Sequence, residues 1–467
     1  MKVYCDRLQL EAPITSVTFA NYNFNLEAFI MKRMIQMLSG ILFFVVLIGC
    51  QEDSSLNESE TGEKEGSDDI VNLRVLHSFT GSQPQAPVME PAFEAFDEEH
   101  DDIQLNIQTA AGNDILEQLR TEMAAEDPPD VFTHWGMRRT ENYIKNGVIP
   151  DISDMIESDQ DLDGLYMDGA FGPVTYQGGI YGLPFQGYSY YLMINKDLFE
   201  EHGVDIPTNY EELKKAVIQF TDVGLIPFAA NNHSARYMLL TWFAQKQTTE
   251  DLRSYATAEQ EFGEDLLLAA EKAQELAELG AFPEGYMNLE TAQSLEIFHA
   301  EQAPMFYQHS WTVGSIDEEL LDSYEIIPFP LGDEQSEPTV LAGTGHFIYM
   351  SQRAYDDPDK REAAWKLMKK IAGRDVAKGF VEDIANNTAL NVEYDEENVN
   401  PILNQILDDM DNAEKLLPSY EEELFASAVE GEYWPLTDAL LLGDITPQEY
   451  VDQMNDIVSE HPNVQFE

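Results

Sequence analysis

Cysteine is nearly missing from this chain: 467 residues contain two, Cys5 and Cys50, both ahead of the part that reads as globular. A disulfide framework is thereby excluded, and the fold must rest on its apolar core. Positive charge is scarce as well. Lys and Arg total 26 against 87 Asp and Glu, a formal net of −61. Such a surface repels nucleic acid and anionic membrane, which disfavours the bare surface of either as a partner. It suits saline or alkaline surroundings, as in halophilic or alkaliphilic proteins, where counterions screen self-repulsion. No apolar run reaches the about 20 residues of a transmembrane helix.

Catalytic signatures are missing too. There is no Walker A loop, no G-x-S-x-G elbow and no H-E-x-x-H. Gly343-Thr344-Gly345 lacks the third glycine of a dinucleotide fingerprint and precedes a strand-like segment. The nine histidines show no metal-ligand spacing, so neither metal nor cofactor is expected. Among 87 carboxylates no pair stands out, because a glycosidase couple is defined by its separation across a cleft.

What is present is globular: 43% hydrophobic and 11% aromatic residues, enough for two or three domain cores. The N-terminal part reads as an address. Lys32 and Arg33 precede a mostly apolar run over residues 34–48, which ends in Leu47-Ile48-Gly49-Cys50. This resembles the lipobox of bacterial lipoproteins, in which the cysteine is acylated and becomes the first mature residue. The expected division is a mis-assigned upstream extension over residues 1–30, a signal peptide over 31–49, and acylated Cys50 opening an acidic tether over 50–71. Such a protein is anchored to the membrane without spanning it.

Beyond the tether the pattern is α/β. An apolar strand at residues 72–77, a helix over 87–99, an alternating strand at 103–107, a helix over 114–125 and a strand at 130–132 predict a mainly parallel sheet. Amphipathic helices are expected at 210–219, 264–279, 362–371 and 447–458, and strands at 325–328 and 346–350.

Four stretches carry a family likeness. They are residues 180–185 (IYGLPF) with 191–199 (YLMINKDLF), 203–207 (GVDIP) and 210–213 (YEEL); residues 129–132 (PDVF) with Trp135; residues 303–306 (APMF) with Ser310-Trp311; and residues 443–449 (GDITPQE). In order and spacing they resemble family 1 extracellular solute-binding proteins, the maltodextrin- and multiple-sugar-binding lipoproteins of carbohydrate ABC importers. The resemblance covers roughly residues 72–460. It implies a two-lobed, periplasmic-binding-protein-like fold of type II that closes by hinge bending on a sugar. Lobe one is expected at 72–180 plus 343–388, and lobe two at 190–338 plus 392–460. Partners follow: a sugar ligand, the permease subunits of an ABC importer and, through Cys50, the membrane, with the protein itself a monomer and not an enzyme. Residues 384–390 lack the proline of the family's second return crossing.

A sugar offers apolar faces to aromatic rings and hydroxyl edges to polar groups. Trp311 matches the family's stacking tryptophan and Tyr188 a family ligand contact. Tyr188, Tyr190 and Tyr191 share a segment whose alternate residues face opposite ways if it is a strand. His134 and Trp135 close an inferred strand, and Ser78 and Phe79 follow the first strand, where ligands of open α/β sheets bind. Tyr307 precedes Trp311. Asn232 and Arg236 are expected in a polar loop, Gly345 near a crossing, and Trp434 as a late aromatic. A polyamine or sugar phosphate on the same fold, or a lipid-anchored glycoside hydrolase, are the competing readings.

Overall fold

The computed structural model describes residues 70–463, apart from 82, 111–113, 137, 168 and 420–426. The expected extension, signal peptide and Cys50 lie outside the described residues, as does the tether up to residue 69. The first strand begins at Val71, so the last residue assigned to the tether belongs to the fold.

Strand β1 (Val71–His77), α1 (Ala86–Glu99), β2 (Ile103–Thr109), α2 (Asp114–Ala124), β3 (Val131–Trp135) and α3 (Arg138–Lys145) realise the expected alternation. Then come β4 (Leu183–Asn195), α4 (Asn232–Ala244), α5 (Glu264–Glu278), α6 (Thr291–His299), β5 (Met305–His309), β6 (Tyr324–Ile327) and β7 (Thr339–Met350). The chain closes through α7 (Pro358–Ile371), α8 (Arg374–Glu382), α9 (Pro401–Asn412), β8 (Lys415–Leu417), α10 (Ser427–Leu441) and α11 (Pro447–Glu460). Further elements lie between these, among them the expected helix at Tyr210–Asp222. Among the described residues no helix is long and apolar enough to cross a membrane.

The sheet runs β2-β1-β3-β7-β4-β5, with β6 also on β4 and β8 on β7. The α/β class is as expected, but the sheet is mixed rather than mainly parallel. Parallel pairing is confined to β1–β2, β1–β3 and β8–β7; the pairs made by β4 with β5, β6 and β7, and by β3 with β7, are antiparallel. The cause is the pair of long strands at the centre. A chain that crosses on β4 and returns beside it on β7 must run the opposite way.

The two largest apolar cores meet these strands at different ends. In the first, Leu73 and Val75 of β1, Leu183 and Phe185 of β4, and Ile348 and Met350 of β7 pack against Phe93 and Phe96 of α1 and Leu367 and Ile371 of α7. Burying each such side chain contributes about 1.5–3 kcal/mol. In the second, Leu192 and Ile194 from the far end of β4 pack with Leu239 and Phe243 of α4, Tyr307 of β5 and Tyr450 of α11. The crossing strands are thus shared property of both cores. All 13 residues of β4 are buried.

A third strand of chain joins them. Thr388 bridges to Gln186, and the Gly187 amide donates to the Asn387 carbonyl at 3.1 Å. Gly187 is required there, because a Cβ would stand 2.9 Å from the Thr388 carbonyl oxygen. The β4–β7 register shifts on both sides of Gln186, a bulge that re-aims the strand at the crossing.

Candidate ligand site at the strand crossing

Alternation along β4 decides which tyrosines face which way. Tyr188 and Tyr190 join the core built on α4, while Tyr191 joins the opposite face. Tyr190 stacks on Tyr237 at 4.1 Å between centroids, and its hydroxyl lies 2.9 Å from His233 Nε2. His233 and Tyr237 are one helical turn apart on α4, so their rings share a face. The line of rings continues from His233 to His309 at 5.4 Å, and from His309 to the half-buried Trp311 at 3.6 Å.

Trp434 of α10 borders the same group, 6.4 Å from Tyr237. The guanidinium of Arg236 sits 4.4 Å above the Trp434 ring and donates to both carboxylate oxygens of Asp438, at 2.8 and 2.5 Å. Asn232 and Arg236 do not lie in a loop. Asn231 caps α4 by accepting from the Ser234 amide, and both residues belong to the helix that follows.

On the other side of the crossing, His346 of β7 meets Phe79 at 5.2 Å and Trp135 at 4.8 Å. Arg139 lies 4.8 Å from the Trp135 ring. His134 is buried, with Nδ1 2.9 Å from the Trp135 carbonyl; since a carbonyl only accepts, Nδ1 carries the proton. His77 is the reverse. Its Nδ1 accepts from the Phe79 amide at 3.2 Å and so holds the Ser78-Phe79 turn. Gly345 spaces the two groups: a Cβ there would stand 3.4 Å from the Tyr188 ring. Gly345 lies inside β7 and does not open the strand.

Burial keeps the imidazoles of His77, His233, His309 and His346 neutral. It lowers His77 to about 4 against an opposing pull from Glu90. Burial, then the charge of Arg236, lowers His233 to about 3; burial, then His134 and Arg139, lowers His346 to about 3. His309 is held well below the usual histidine range by burial and by His233. Neutral rings suit hydrogen bonds to an uncharged ligand.

The structure therefore gathers Tyr188, Tyr190, Trp311, Arg236 and Trp434 on one side, and Ser78, Phe79, His134 and Trp135 on the other. Tyr307 stands apart. It is buried beneath Tyr190, with its hydroxyl 2.5 Å from Thr241 Oγ1. Sequence reasoning missed His233 and Tyr237; their four-residue spacing beside Asn232 was the available signal. Gln186 was missed as well. It is fully buried and accepts from Gln85 at 3.5 Å, and its own Nε2 has no partner among the described residues.

A cavity of about 1670 Å³ opens at the crossing. Tyr188 lines it, with Gly187, Thr344, Asn386 and Asn387; Trp311 and Trp135 do not. Tyr188 is pinned there, its hydroxyl accepting from the Ser419 amide at 2.9 Å. No cluster of potential metal ligands occurs among the described residues.

The model of one family, described as bacterial extracellular solute-binding protein, matches residues 92–400. The chain belongs to that family. Its members bind solutes, which accords with a site of rings and neutral polar groups. The melibiose/raffinose/stachyose-binding protein MelE of Bacillus subtilis (strain 168) is 25% identical over 178 residues, 38% of this chain and 37% of that one. The curated relatives are matched over only 34–40% of their length. Among solved structures, a chitin oligosaccharide binding protein aligns with a TM-score of 0.76 at 19% identity, covering 84% of this chain and 99% of that one. The solute-binding protein RafE in complex with raffinose gives 0.66 at 18%, over 84% and 99%. These two likenesses establish the shared fold.

Proposed function

We propose that this member of the family captures a saccharide between its two halves and delivers it, chemically unchanged, to an ABC importer. The observation that carries the reading is the line of rings across the crossing strands. Half-buried Trp135 on one side and half-buried Trp311 and Trp434 on the other lie beside the crossing that carries Tyr188, with neutral histidines among them and Phe79 buried behind His346. Rings cover the apolar faces of a sugar, and uncharged imidazoles and amides exchange hydrogen bonds with its hydroxyls. The ligands of MelE, RafE and the chitin oligosaccharide binding protein are all saccharides, which supports the choice of solute class.

The two halves correspond in this proposal to residues 72–180 with 343–388 and 190–338 with 392–460, a division supported by the two cores. Helix α3 of the first half packs against α10 of the second, so the halves already meet at one rim. Acylation of Cys50 would tether the protein to the membrane beside its importer. A cationic solute fits less well, because Asp438, the carboxylate beside Trp434, is already engaged by Arg236. A thermal-shift screen over mono- and oligosaccharides, polyamines and phosphates tests the proposal. A saccharide at 100 times its Kd adds about 2.7 kcal/mol; stabilisation by polyamines or phosphates alone overturns the assignment.

A further inference from the structure

Beyond His309 the line of rings gives way to a separate polar cavity of about 550 Å³, within the roughly 300–1,000 Å³ of small-molecule sites. Asn232 and His233 at the start of α4, His309 at the end of β5, and Asn288, Glu290 and Thr291 at the start of α6 line it. Two of these, His233 and His309, are the rings that connect Tyr190 to Trp311. The cavity is therefore a continuation of the ring surface and not a remote hollow.

Its wall is built in advance. The Asn231 side chain donates to Thr291 Oγ1 at 3.1 Å and accepts from the Ser234 amide at 3.0 Å, which ties α6 to α4. Glu290 and Gln293 form a reciprocal cap that fixes the start of α6. Against this finished wall one atom stands out. His309 is 4% exposed, and its Nδ1 has no hydrogen-bond partner among the described residues. A buried polar atom left unpaired is costly, and a rotation of the ring that turned it into the cavity would let a ligand hydroxyl satisfy it.

The lining contains amides, a hydroxyl, imidazoles and one carboxylate beside Met287 and Leu289, without Lys or Arg. That set exchanges hydrogen bonds with polyols and offers nothing to an anion. We infer that this cavity is a subsite for a further sugar ring, so that the ligand is an oligosaccharide with one ring over Trp311 and the next at His309, Asn288 and Glu290. The inference rests on the saccharide reading above and adds chain length to it.

Calorimetric titration of the full chain with two series tests it: galactose, melibiose, raffinose and stachyose, and N-acetylglucosamine with its oligomers of two to four rings. In the series that binds, the oligomers bind about tenfold more tightly than the single ring, roughly the worth of one or two hydrogen bonds. Asn288 is exposed, and glutamine at 290 retains an acceptor for the cap, so the double variant Asn288→Ala, Glu290→Gln keeps its melting temperature. It loses about five- to tenfold in oligomer affinity and leaves the single ring unchanged. Equal affinity for single ring and oligomers, or an equal loss for both in the variant, overturns the subsite while the saccharide reading stands. If no member of either series binds the wild-type chain, the saccharide reading itself falls.

Discussion

Trp311 and His309 lie with ring centroids 3.6 Å apart, an indole laid against an imidazole that burial holds neutral. The pair stands where β5 ends and a short 3-10 turn begins, at residues 309–311. Removing the indole tests its role. Trp311→Ala is expected to weaken saccharide binding by about 2 kcal/mol, the scale of a buried aromatic anchor. Trp311 is half-buried, so the melting temperature should move little by comparison. Calorimetry beside a melting curve checks both, and a loss of stability without a loss of affinity would assign the ring to packing.

The buried imidazoles set a pH dependence whose sign is fixed. His77 falls to about 4 and His346 to about 3 in the folded chain, against 6.5 for an unperturbed histidine. The unfolded chain therefore binds more protons between pH 6.5 and about 4, and stability drops as pH falls through that window. With His77 at 2% and His346 at 6% exposure, the loss is a few kcal/mol in total. Asp409 works the other way, since burial raises its carboxyl to about 6. One group against several does not reverse the trend. Urea midpoints from pH 7.5 to 4.5 check it: a steady fall is expected, made shallower by His77→Asn with His346→Asn. A flat profile would contradict the burial of these rings.

The first half was the more legible in sequence. The apolar run of β1, the alternation of β2 and the helical spacing of Phe93 and Phe96 in α1 are local patterns, and β-α-β-α-β followed from them. The crossing strands were harder to read. Every residue of β4 is buried, so it has no alternation of polar and apolar residues to mark it as a strand. The antiparallel return on β7 depends on pairing between positions more than 150 residues apart, which no local signal records. At the site, Trp311 and Tyr188 came from the family likeness. His233 and Tyr237 had a helical spacing to betray them. Residues 287–291 had none, because only the contact of the turn at residues 286–288 with α4 and the Asn231–Thr291 hydrogen bond bring them to His309.

Gly187 marks the point where three chain segments cross. A methyl group there meets the Thr388 carbonyl oxygen at 2.9 Å and the Asn387 Cβ at 3.2 Å. Gly187→Ala is expected to cost about 1–3 kcal/mol by forcing the third crossing outward. The shift of the urea midpoint measures it, and an unchanged midpoint would show that the third segment is not held against β4.

Net charge makes a separate prediction. At −61 the chain repels itself, and salt screens that repulsion over a Debye length of about 10 Å at 0.1 M and about 3 Å at 1 M. The melting temperature should rise between about 0.02 M and about 1 M sodium chloride. A fall would mean that ion pairs such as Lys360–Asp130 and Arg236–Asp438 outweigh the general repulsion.

Capture without chemistry is decided most directly by one experiment: titrate raffinose and chitin oligosaccharides into the full chain, then analyse the recovered sugar by mass spectrometry. Saturable binding of one saccharide per chain and recovery of that saccharide intact are expected. Absence of saccharide binding, or the appearance of shortened products, would contradict capture without chemistry.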